Sequence, residues 1–255
     1  MADGRFMTEE LLLNSMPSLQ TVMLGGWAVR LNGGLTYRAN CVCPLYGDQN
    51  DISGRITLCE EIFRRHGMSA VFKVTPALQP GLAETLAQHG YETAKTVYVM
   101  EAELPEQIPE PAFSVECEKR PGEEWLSASA GMLGVPEGNL VSIYRGNMRS
   151  IVPAAVFAAV RLDGKIAGCG YGTSERGYVG AYGFHVLPEY RRRGVGTSLF
   201  RSVCSFGRRE GVHTEYLIVH SRNRNALSLY EKLGFRRSYD YIFMKKPGAD
   251  GITDA

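Results

Sequence analysis

Three pairs of similar segments recur at one spacing, and this repeat limits the possible fold more than any other feature of the sequence. The pairs are CVCPLY (41–46) with HVLPEY (185–190), RRHG (64–67) with RREG (208–211), and HGYETAKTVYVM (89–100) with LGFRRSYDYIFM (233–244). In each pair the second segment follows the first by 144 residues. Three matches at one spacing indicate a duplicated unit of domain size, because a solenoid would repeat at a much shorter period.

A proline-rich segment lies between the two copies. Residues 103–112 (ELPEQIPEPA) contain three prolines and three glutamates. Neither a helix nor a central strand tolerates this pattern, so it indicates a stiff, exposed connector. We therefore predict a domain over 1–103, a linker over 104–112, a second domain over 113–246 and a flexible tail over 247–255.

The composition is that of an ordinary soluble protein and argues against several classes of partner. A net charge of +1 gives no bulk attraction to nucleic acid or membranes. The N-terminal segment lacks the pattern of a signal peptide, and no apolar run approaches the roughly 20 residues of a membrane span. Six cysteines include the close pair Cys41 and Cys43, but no second pair with metal-ligand spacing accompanies them. We predict a cytoplasmic protein with free thiols and no metal site.

Strands alternate with helices in both halves, which predicts an α/β layered fold. In the first half we predict strands over 21–31, 35–43, 70–75 and 95–103, and helices over 53–66 and 80–89. In the second half we predict strands over 113–118, 154–162, 165–173, 178–187, 214–220 and 238–245, and helices over 121–131, 137–147, 195–210 and 223–233.

The segment EYRRRGVGTSLF (189–200) joins a predicted strand to a predicted helix. Such a loop directs unpaired backbone N–H groups and the positive end of a helix dipole at one point, which suits a phosphate or pyrophosphate. No lysine follows Gly196, so the segment is not a nucleotide-binding P-loop, and the third glycine of a dinucleotide fingerprint is missing.

The first half lacks this loop. At the 144-residue spacing Gly47, Asn50 and Ile52 stand where the second half has Arg191, Gly194 and Gly196. Asp48 and Asp51 add negative charge there and would repel an anion. We predict that the first half keeps the scaffold but has lost the phosphate site.

Two motifs in the second half together resemble those of the GNAT superfamily of N-acetyltransferases. RRRGVG (191–196) fits R-x-x-G-x-G, and NRNALSLYEKLGF (223–235) fits N-x-x-A-x-x-x-Y-x-x-x-G-F. The resemblance covers about 113–246 and implies two GNAT-like domains, each a mixed, mostly antiparallel sheet flanked by helices. The first would be a degenerate copy, as in tandem GNAT proteins.

The resemblance implies acetyl-coenzyme A (acetyl-CoA) as the cofactor. Its pyrophosphate would lie on the amides of the glycine loop, its pantetheine arm along the end of the preceding strand, and Asn223 would hydrogen-bond the arm. The residues implied in cofactor binding are Phe184, His185, Val186, Arg191, Arg192, Arg193, Gly194, Val195, Gly196, Thr197, Ser198 and Asn223.

The resemblance also implies that Tyr230 protonates the departing thiolate. A tyrosine titrates near 10 and a thiol near 8.5, so at neutral pH the phenol carries the proton to donate. Tyr230 could alternatively be a core tyrosine. We assign no general base: a regular strand over 178–187 would place Tyr182 on the face with a plausible substrate role and His185 on the opposite face.

The acceptor is predicted to be the primary amine of a small molecule. Glu123 and Glu124 would face the incoming amine, with Trp125 as an apolar wall, and would favour a polycationic acceptor such as an aminoglycoside antibiotic or a polyamine. In the alternative, both glutamates are solvated and Trp125 is a core aromatic. Two other functions remain open: a protein or peptide N-acetyltransferase, and a non-catalytic acetyl-CoA sensor. The chain would be a monomer or a homodimer.

Overall fold

The computed structural model describes residues 4–47 and 50–248. Asp48 and residues 249–255 of the predicted tail lie outside the described residues. The helices are α1 (Gly4–Ser15), α2 (Ile52–Arg65), α3 (Leu82–Gln88), α4 (Glu123–Leu133), α5 (Asn139–Arg149), α6 (Val195–Arg209) and α7 (Arg224–Lys232). The strands are β1 (Gln20–Leu24), β2 (Trp27–Leu31), β3 (Val42–Pro44), β4 (Val71–Val74), β5 (Glu92–Glu103), β6 (Glu116–Glu118), β7 (Ala154–Leu162), β8 (Lys165–Glu175), β9 (Tyr178–Val186), β10 (Thr214–His220) and β11 (Arg236–Lys245).

The predicted alternation of strands and helices is confirmed, and most predicted elements are present with shifts of a few residues. Helix α1 was not predicted. The predicted strand 21–31 is two strands, because Gly25 and Gly26 form a turn with φ angles of 55° and 89°. The connector after Glu103 contains neither helix nor strand until β6 begins at Glu116.

The predicted strand 35–43 is wrong over most of its length. Residues 32–41 form a largely buried loop, and only Val42–Pro44 is a strand. The side chain of Asn40 satisfies the loop backbone, since its Oδ1 accepts from the N–H groups of Asn32 (2.7 Å) and Gly34 (3.2 Å). These bonds replace the ladder bonds of a strand, which lets the loop stay buried.

The chain forms two compact units that do not follow chain order. Among the described residues, the first unit extends to Val99 and adds Val219–Leu227 and the residues from Arg237 to Gly248. The second unit comprises Met100–Ile218 and Ser228–Arg236. The predicted domains 1–103 and 113–246 thus differ from these units, chiefly because β11 belongs with the first unit.

The sheet of the first unit has the strand order β1-β2-β3-β4-β11-β5. β3 and β4 are parallel, whereas β1 with β2, β2 with β3, and β4 with β11 are antiparallel. A buried ion pair joins α1 to the sheet between Glu9 and Lys73, and the Tyr239 hydroxyl of β11 donates to the same carboxylate at 2.9 Å. Burial, the largest single effect, would lower the pKa of Lys73, but the combined attraction of Glu9, Tyr241 and Cys43 raises that pKa.

The second unit repeats this plan in the order β10-β9-β8-β7-β6. β9 and β10 are parallel, and the other neighbours are antiparallel. Both sheets are therefore mixed and mostly antiparallel, as predicted. α6 packs closely on one face because β8 presents glycines to it: a Cβ at Gly172 would lie 2.4 Å from Val203. α4 covers the opposite face, where Trp125 meets Phe157 with ring centroids 5.0 Å apart.

Candidate functional site

Two parallel strands of the second unit separate at their C-terminal ends. The pairing of β9 with β10 runs from Tyr178↔Thr214 to Ala181↔Leu217. Beyond these pairs β9 continues to Val186 and β10 continues to its own end without further pairing between them. The edge of β9 from Tyr182 to Val186 is thereby left open, and an extended polar chain could hydrogen-bond to it.

A bulge in β9 changes which side chains face each side of the sheet. Tyr171 of β8 pairs with Tyr182, but Cys169, two residues away, pairs with His185, three residues away. The additional residue is accommodated by Gly183, whose φ of 60° suits glycine. Because Cys169 lies 3.9 Å from the sulfur of Met132 in α4, His185 faces the α4 side.

This finding corrects the predicted alternation of β9. His185 and Tyr182 share the α4 face, whereas a regular strand would have separated them. Phe184 faces the other side, where its ring lies 6.1 Å from that of Phe200 in α6. Val186 also packs on the α6 side, in a cluster with Val195 and Leu199. For Phe184 and Val186, only the backbone is available to a ligand at the open edge.

Tyr182 is buried, and it is not available as a substrate contact. Its hydroxyl forms a hydrogen bond with the hydroxyl of Tyr216 in β10, and its ring stacks on Tyr171 at 5.2 Å. Only 4% of the side chain is exposed. The predicted contact of Tyr182 with the substrate is therefore wrong. Tyr182 is part of a layer of aromatic side chains beneath the point where β9 and β10 separate.

The arginine loop between β9 and α6 contains two left-handed residues, Arg192 (φ 56°) and Gly194 (φ 94°). Arg191 turns back onto the strand, where its Nε donates to the Val186 carbonyl oxygen at 3.0 Å. The Arg193 guanidinium lies over the ring of Tyr190 at 5.6 Å. The loop is thus cationic, and all three arginines are exposed, with Arg191 and Arg193 held in place by these contacts.

The N-terminus of α6 carries no side-chain cap, because Gly194 occupies the N-cap position. The first helical bond runs from Ser198 N to Gly194 O at 2.9 Å. The N–H groups of Val195, Gly196 and Thr197 precede it and point out of the helix end. Such donors, together with the helix dipole, are of the kind that suits an anion such as a pyrophosphate.

Two of the predicted loop contacts differ in detail. Ser198 is 1% exposed, and its hydroxyl donates to Gly194 O (3.1 Å) and accepts from Phe113 N (3.3 Å). Its predicted contact with a cofactor is therefore wrong, because both its hydroxyl and its amide already have partners. The Val195 side chain is 1% exposed, so that residue offers its backbone alone.

Tyr230 of α7 is linked to α6 and β9 by a chain of aromatic rings. Its ring lies 5.9 Å from Phe235, which lies 5.6 Å from Phe200, which in turn contacts Phe184. All four residues belong to the second unit. Burial raises the pKa of Tyr230, so the phenol remains protonated at neutral pH. Tyr230 is half-buried, and the structure gives its hydroxyl no partner among the described residues.

Asn223 is the N-cap of α7. Its Oδ1 accepts from Ala226 N at 3.2 Å, and its carbonyl accepts from Leu227 N at 3.0 Å. This capping accounts for an asparagine at this position. The side-chain NH₂ group is not used by the cap, so the predicted contact with the cofactor arm stays a prediction.

The predicted acidic wall of the acceptor site is wrong. Glu123 pairs with Arg145 (3.0 Å) and Arg149, and Glu124 pairs with Arg161 (2.6 Å). Both carboxylates are thus ion-paired, which offsets the negative charge on which the predicted attraction of a polycation depended. Spacing along the chain did not reveal them, because Arg145, Arg149 and Arg161 come from α5 and β7.

Trp125 is a core residue, as in the alternative prediction, and does not form a wall for a substrate. It is 5% exposed, and its indole Nε1 donates to the Ala158 carbonyl at 3.0 Å.

The equivalent helix end in the first unit is occupied by the protein itself. Asp51 is the N-cap of α2 in the left-handed conformation (φ 49°), and its Oδ1 accepts from Gly54 N at 3.0 Å. A carboxylate therefore lies where a phosphate would bind. Asp48, the other predicted acid, lies outside the described residues.

Two further observations concern metals and membranes. Within the described residues no group of three or more His, Cys, Asp and Glu could hold a metal ion. The six cysteines are free, and Cys41 Sγ and Cys43 Sγ are 3.5 Å apart. Over 4–47 and 50–248, every helix is too short or too polar to cross a bilayer.

Comparisons with known proteins agree with this geometry. The family model described as "Probable histone acetyltransferase Rv0428c C-terminal" matches residues 7–244. The "Uncharacterized N-acetyltransferase YobR" of Bacillus subtilis is 26% identical over 233 residues, which cover 89% of this chain and 92% of that protein.

Two solved structures show the same fold. A GCN5-related N-acetyltransferase from Kribbella flavida superposes with a TM-score of 0.70 at 17% identity, over 97% of this chain and 96% of that one. A tandem GNAT protein from the clavulanic acid biosynthesis pathway gives a TM-score of 0.61 at 18% identity, over 78% of this chain and 71% of that one. With the family model matching nearly its whole length, the chain belongs to the Rv0428c C-terminal family of GNAT N-acetyltransferases.

Proposed function

We propose that the second unit binds acetyl-CoA and transfers its acetyl group to the primary amine of a small molecule. The observation that carries this proposal is the uncapped N-terminus of α6, which lies directly after the cationic loop that follows the open edge of β9. The helix end suits a pyrophosphate, and the open edge suits the amides of a pantetheine arm.

The binding residues divide into backbone and side-chain groups. The amides of Val195, Gly196 and Thr197 would hold the pyrophosphate, and Arg192 would add a positive charge from the loop. The backbone of β9 near His185 would pair with the arm. The side chains of Arg191 and Arg193 stabilise the conformation of the loop, because they contact the Val186 carbonyl and the Tyr190 ring.

When bound, acetyl-CoA supplies an acetyl thioester. Tyr230 holds a proton at its Oη, because burial raises its pKa, and can donate that proton to a sulfur leaving group. On the α4 face of β9, His185 can accept a proton from the incoming amine, since the bulge at Gly183 turns its imidazole to that side. An amine near pKa 10.4 arrives mostly protonated, so such a base accelerates the reaction.

A second acceptor class is a peptide or protein amine. It is favoured by the description of the matching family, which names a histone acetyltransferase. The glutamates that favoured a polycation are ion-paired with arginines, so the charge of the acceptor is left to experiment.

The proposal is tested by measuring thiol release from acetyl-CoA with a panel of amines. The panel contains polycations (an aminoglycoside and spermidine), amines of neutral body, and peptides with a free N-terminus or lysine. We expect release with at least one class, together with one acetyl group added to the amine by mass spectrometry. Tight binding of acetyl-CoA without release from any amine would instead support a sensor.

A further inference from the structure

A small cavity of about 30 Å³ lies within the first unit. Its lining residues are Thr36, Tyr37, Arg38, Lys95, Val97, His220 and Phe243. Three of the seven are basic, and no carboxylate occurs among the described residues that line it. Such a cavity attracts negative charge, and the apolar walls of Val97 and Phe243 strengthen the effect by excluding water.

The basic side chains of this cavity are held in position. The Lys95 ammonium lies 4.8 Å from the ring centroid of Tyr37, which is itself buried. His220 is fixed through its Nδ1, which accepts from Arg222 N at 3.0 Å. A cation held over an aromatic ring loses less conformational freedom when it binds an anion than a flexible surface lysine does.

The guanidinium of Arg38 has a donor without a partner. Its Nε is buried, and no hydrogen-bond acceptor lies within reach among the described residues. A buried donor without an acceptor is costly, and in native proteins it usually marks a water or an ion. Since Arg38 lines the cavity, an acceptor oxygen bound there could satisfy this donor.

The backbone that presents these groups is strained and firmly held. Thr36 has a φ of 50°, which is rare for a β-branched residue. The loop carrying Thr36 and Arg38 is fixed at both ends by Asn40, whose Oδ1 accepts from Asn32 N, and by Arg30, whose guanidinium donates to Arg38 O at 2.7 Å. Strain of this kind persists only where the surroundings enforce it.

We propose that this cavity is a binding site for a small oxyanion of the size of a carboxylate group. A single water requires roughly 10–15 Å³, so 30 Å³ has room for the two oxygens of a carboxylate. Arg38, Lys95 and His220 offer donors that converge from the loop, β5 and β10. All its lining residues belong to the first unit.

The test is a thermal unfolding titration of the intact chain, with sodium chloride replaced stepwise by sodium acetate or sodium phosphate at constant ionic strength and pH. A bound anion raises the Tm with a saturable dependence on concentration. Because these salts also stabilise proteins generally, the deciding quantity is the difference between the wild type and variants. Acetate and phosphate arms distinguish a carboxylate from a tetrahedral anion.

The variants are Lys95→Met, which keeps the aliphatic stem, and His220→Asn, which keeps an acceptor for Arg222 N. Each is expected to raise the Kd for the anion about tenfold, as expected for loss of a charge-assisted contact. The control Arg65→Met removes an exposed cation from α2, where it pairs with Glu61, and should leave the Kd unchanged.

Saturable stabilisation by acetate, phosphate or both that both cavity variants weaken supports the site. The proposal is overturned if neither anion stabilises the wild type beyond chloride, or if the Lys95→Met and His220→Asn proteins, folded by circular dichroism, respond as the control does.

Discussion

At the scale of single residues, the hydroxyl of Tyr230 is proposed to donate the proton in acetyl transfer. Replacement by phenylalanine keeps the ring contact with Phe235 and removes the proton donor. We expect turnover to fall by about 10²–10⁴-fold while acetyl-CoA affinity changes little, measured by thiol release and by calorimetry. The control Tyr98→Phe removes a phenol that packs under Arg237 and should be neutral. Unchanged turnover of Tyr230→Phe would make Tyr230 a packing residue.

His185 is expected to affect the pH dependence of the reaction more than substrate binding. With His185→Gln, the amine must lose its proton without a base, so the rate should be lowest relative to the wild type near neutral pH. It should recover at high pH, where more of the amine is unprotonated. Profiles of kcat and kcat/KM between pH 6 and 9.5 test this, and a constant ratio of the two enzymes would contradict it.

Glu215 gives a prediction about stability. Burial raises the pKa of this carboxyl to about 7, while an unfolded glutamate titrates near 4.3. The folded state therefore holds the proton longer, and stability decreases as the pH rises from about 4.5 through 7. Glu215→Gln keeps an acceptor for the Cys204 thiol (3.0 Å) and removes the ionisation.

The difference in free energy of unfolding between this variant and the wild type should increase in favour of the variant by about 2–3 kcal/mol from pH 5 to pH 8. Urea unfolding of both proteins at the two pH values measures this increase. Equal differences at both would mean that the carboxyl titrates normally in the folded protein.

Motifs in the sequence identified the loop and Tyr230, but not the surroundings of the other residues. Glu123 and Glu124 were misjudged because their arginine partners come from other elements. The orientation of His185 depends on one bulge at Gly183, and glycine in a strand does not by itself show whether the strand is bulged.

At the scale of elements, α2 and α6 are two copies of one helix with different N-termini. Both N-caps are left-handed, but Asp51 caps α2 with its carboxylate, whereas Gly194 leaves α6 open. Helices and long strands were predictable from periodicity, because each buries one face. Loop 32–41 was not, since Asn40 supplies bonds that a local pattern of apolar residues does not reveal.

Gly194→Asp transfers the capping carboxylate of the first unit to the second. Asp51 shows that aspartate can serve as a left-handed N-cap, with a φ of 49°. Gly194 has a larger φ of 94°, so the substitution strains the backbone, and Gly194→Asn carries the same strain. The carboxylate would accept hydrogen bonds from the backbone N–H groups at the start of α6 and would repel a pyrophosphate. Acetyl-CoA binding should therefore weaken by about 100-fold or more. The control Gly194→Asn has the same shape without the charge.

Calorimetry on both variants separates charge from shape. Loss of binding in Gly194→Asp with much smaller loss in Gly194→Asn is expected. Equal loss in both would indicate that crowding of the loop, rather than charge, controls affinity.

At the scale of the whole molecule, the duplication is preserved in topology, but the two units differ at the N-termini of their corresponding helices. Each unit keeps a parallel pair of strands at the corresponding position, β3 with β4 and β9 with β10. The repeat predicted this plan, but it did not predict that β11 would pair with β4. Sequence similarity identifies equivalent strands, whereas which neighbour a strand pairs with depends on tertiary contacts such as that of Tyr239 with Glu9.

The stoichiometry of cofactor binding follows from this difference between the units. Since the α2 N-terminus is closed by Asp51 and the α6 N-terminus is open, one acetyl-CoA should bind per chain. Titration calorimetry of the wild type should give a ratio near one, and Gly194→Asp should reduce it to none within the same concentration range. Asp51→Asn keeps a cap without the charge and should leave the ratio at one, because the arginines of the second unit are absent from the first. A ratio of two in the wild type, or one remaining site in Gly194→Asp, would show that the first unit binds the cofactor despite its own carboxylate.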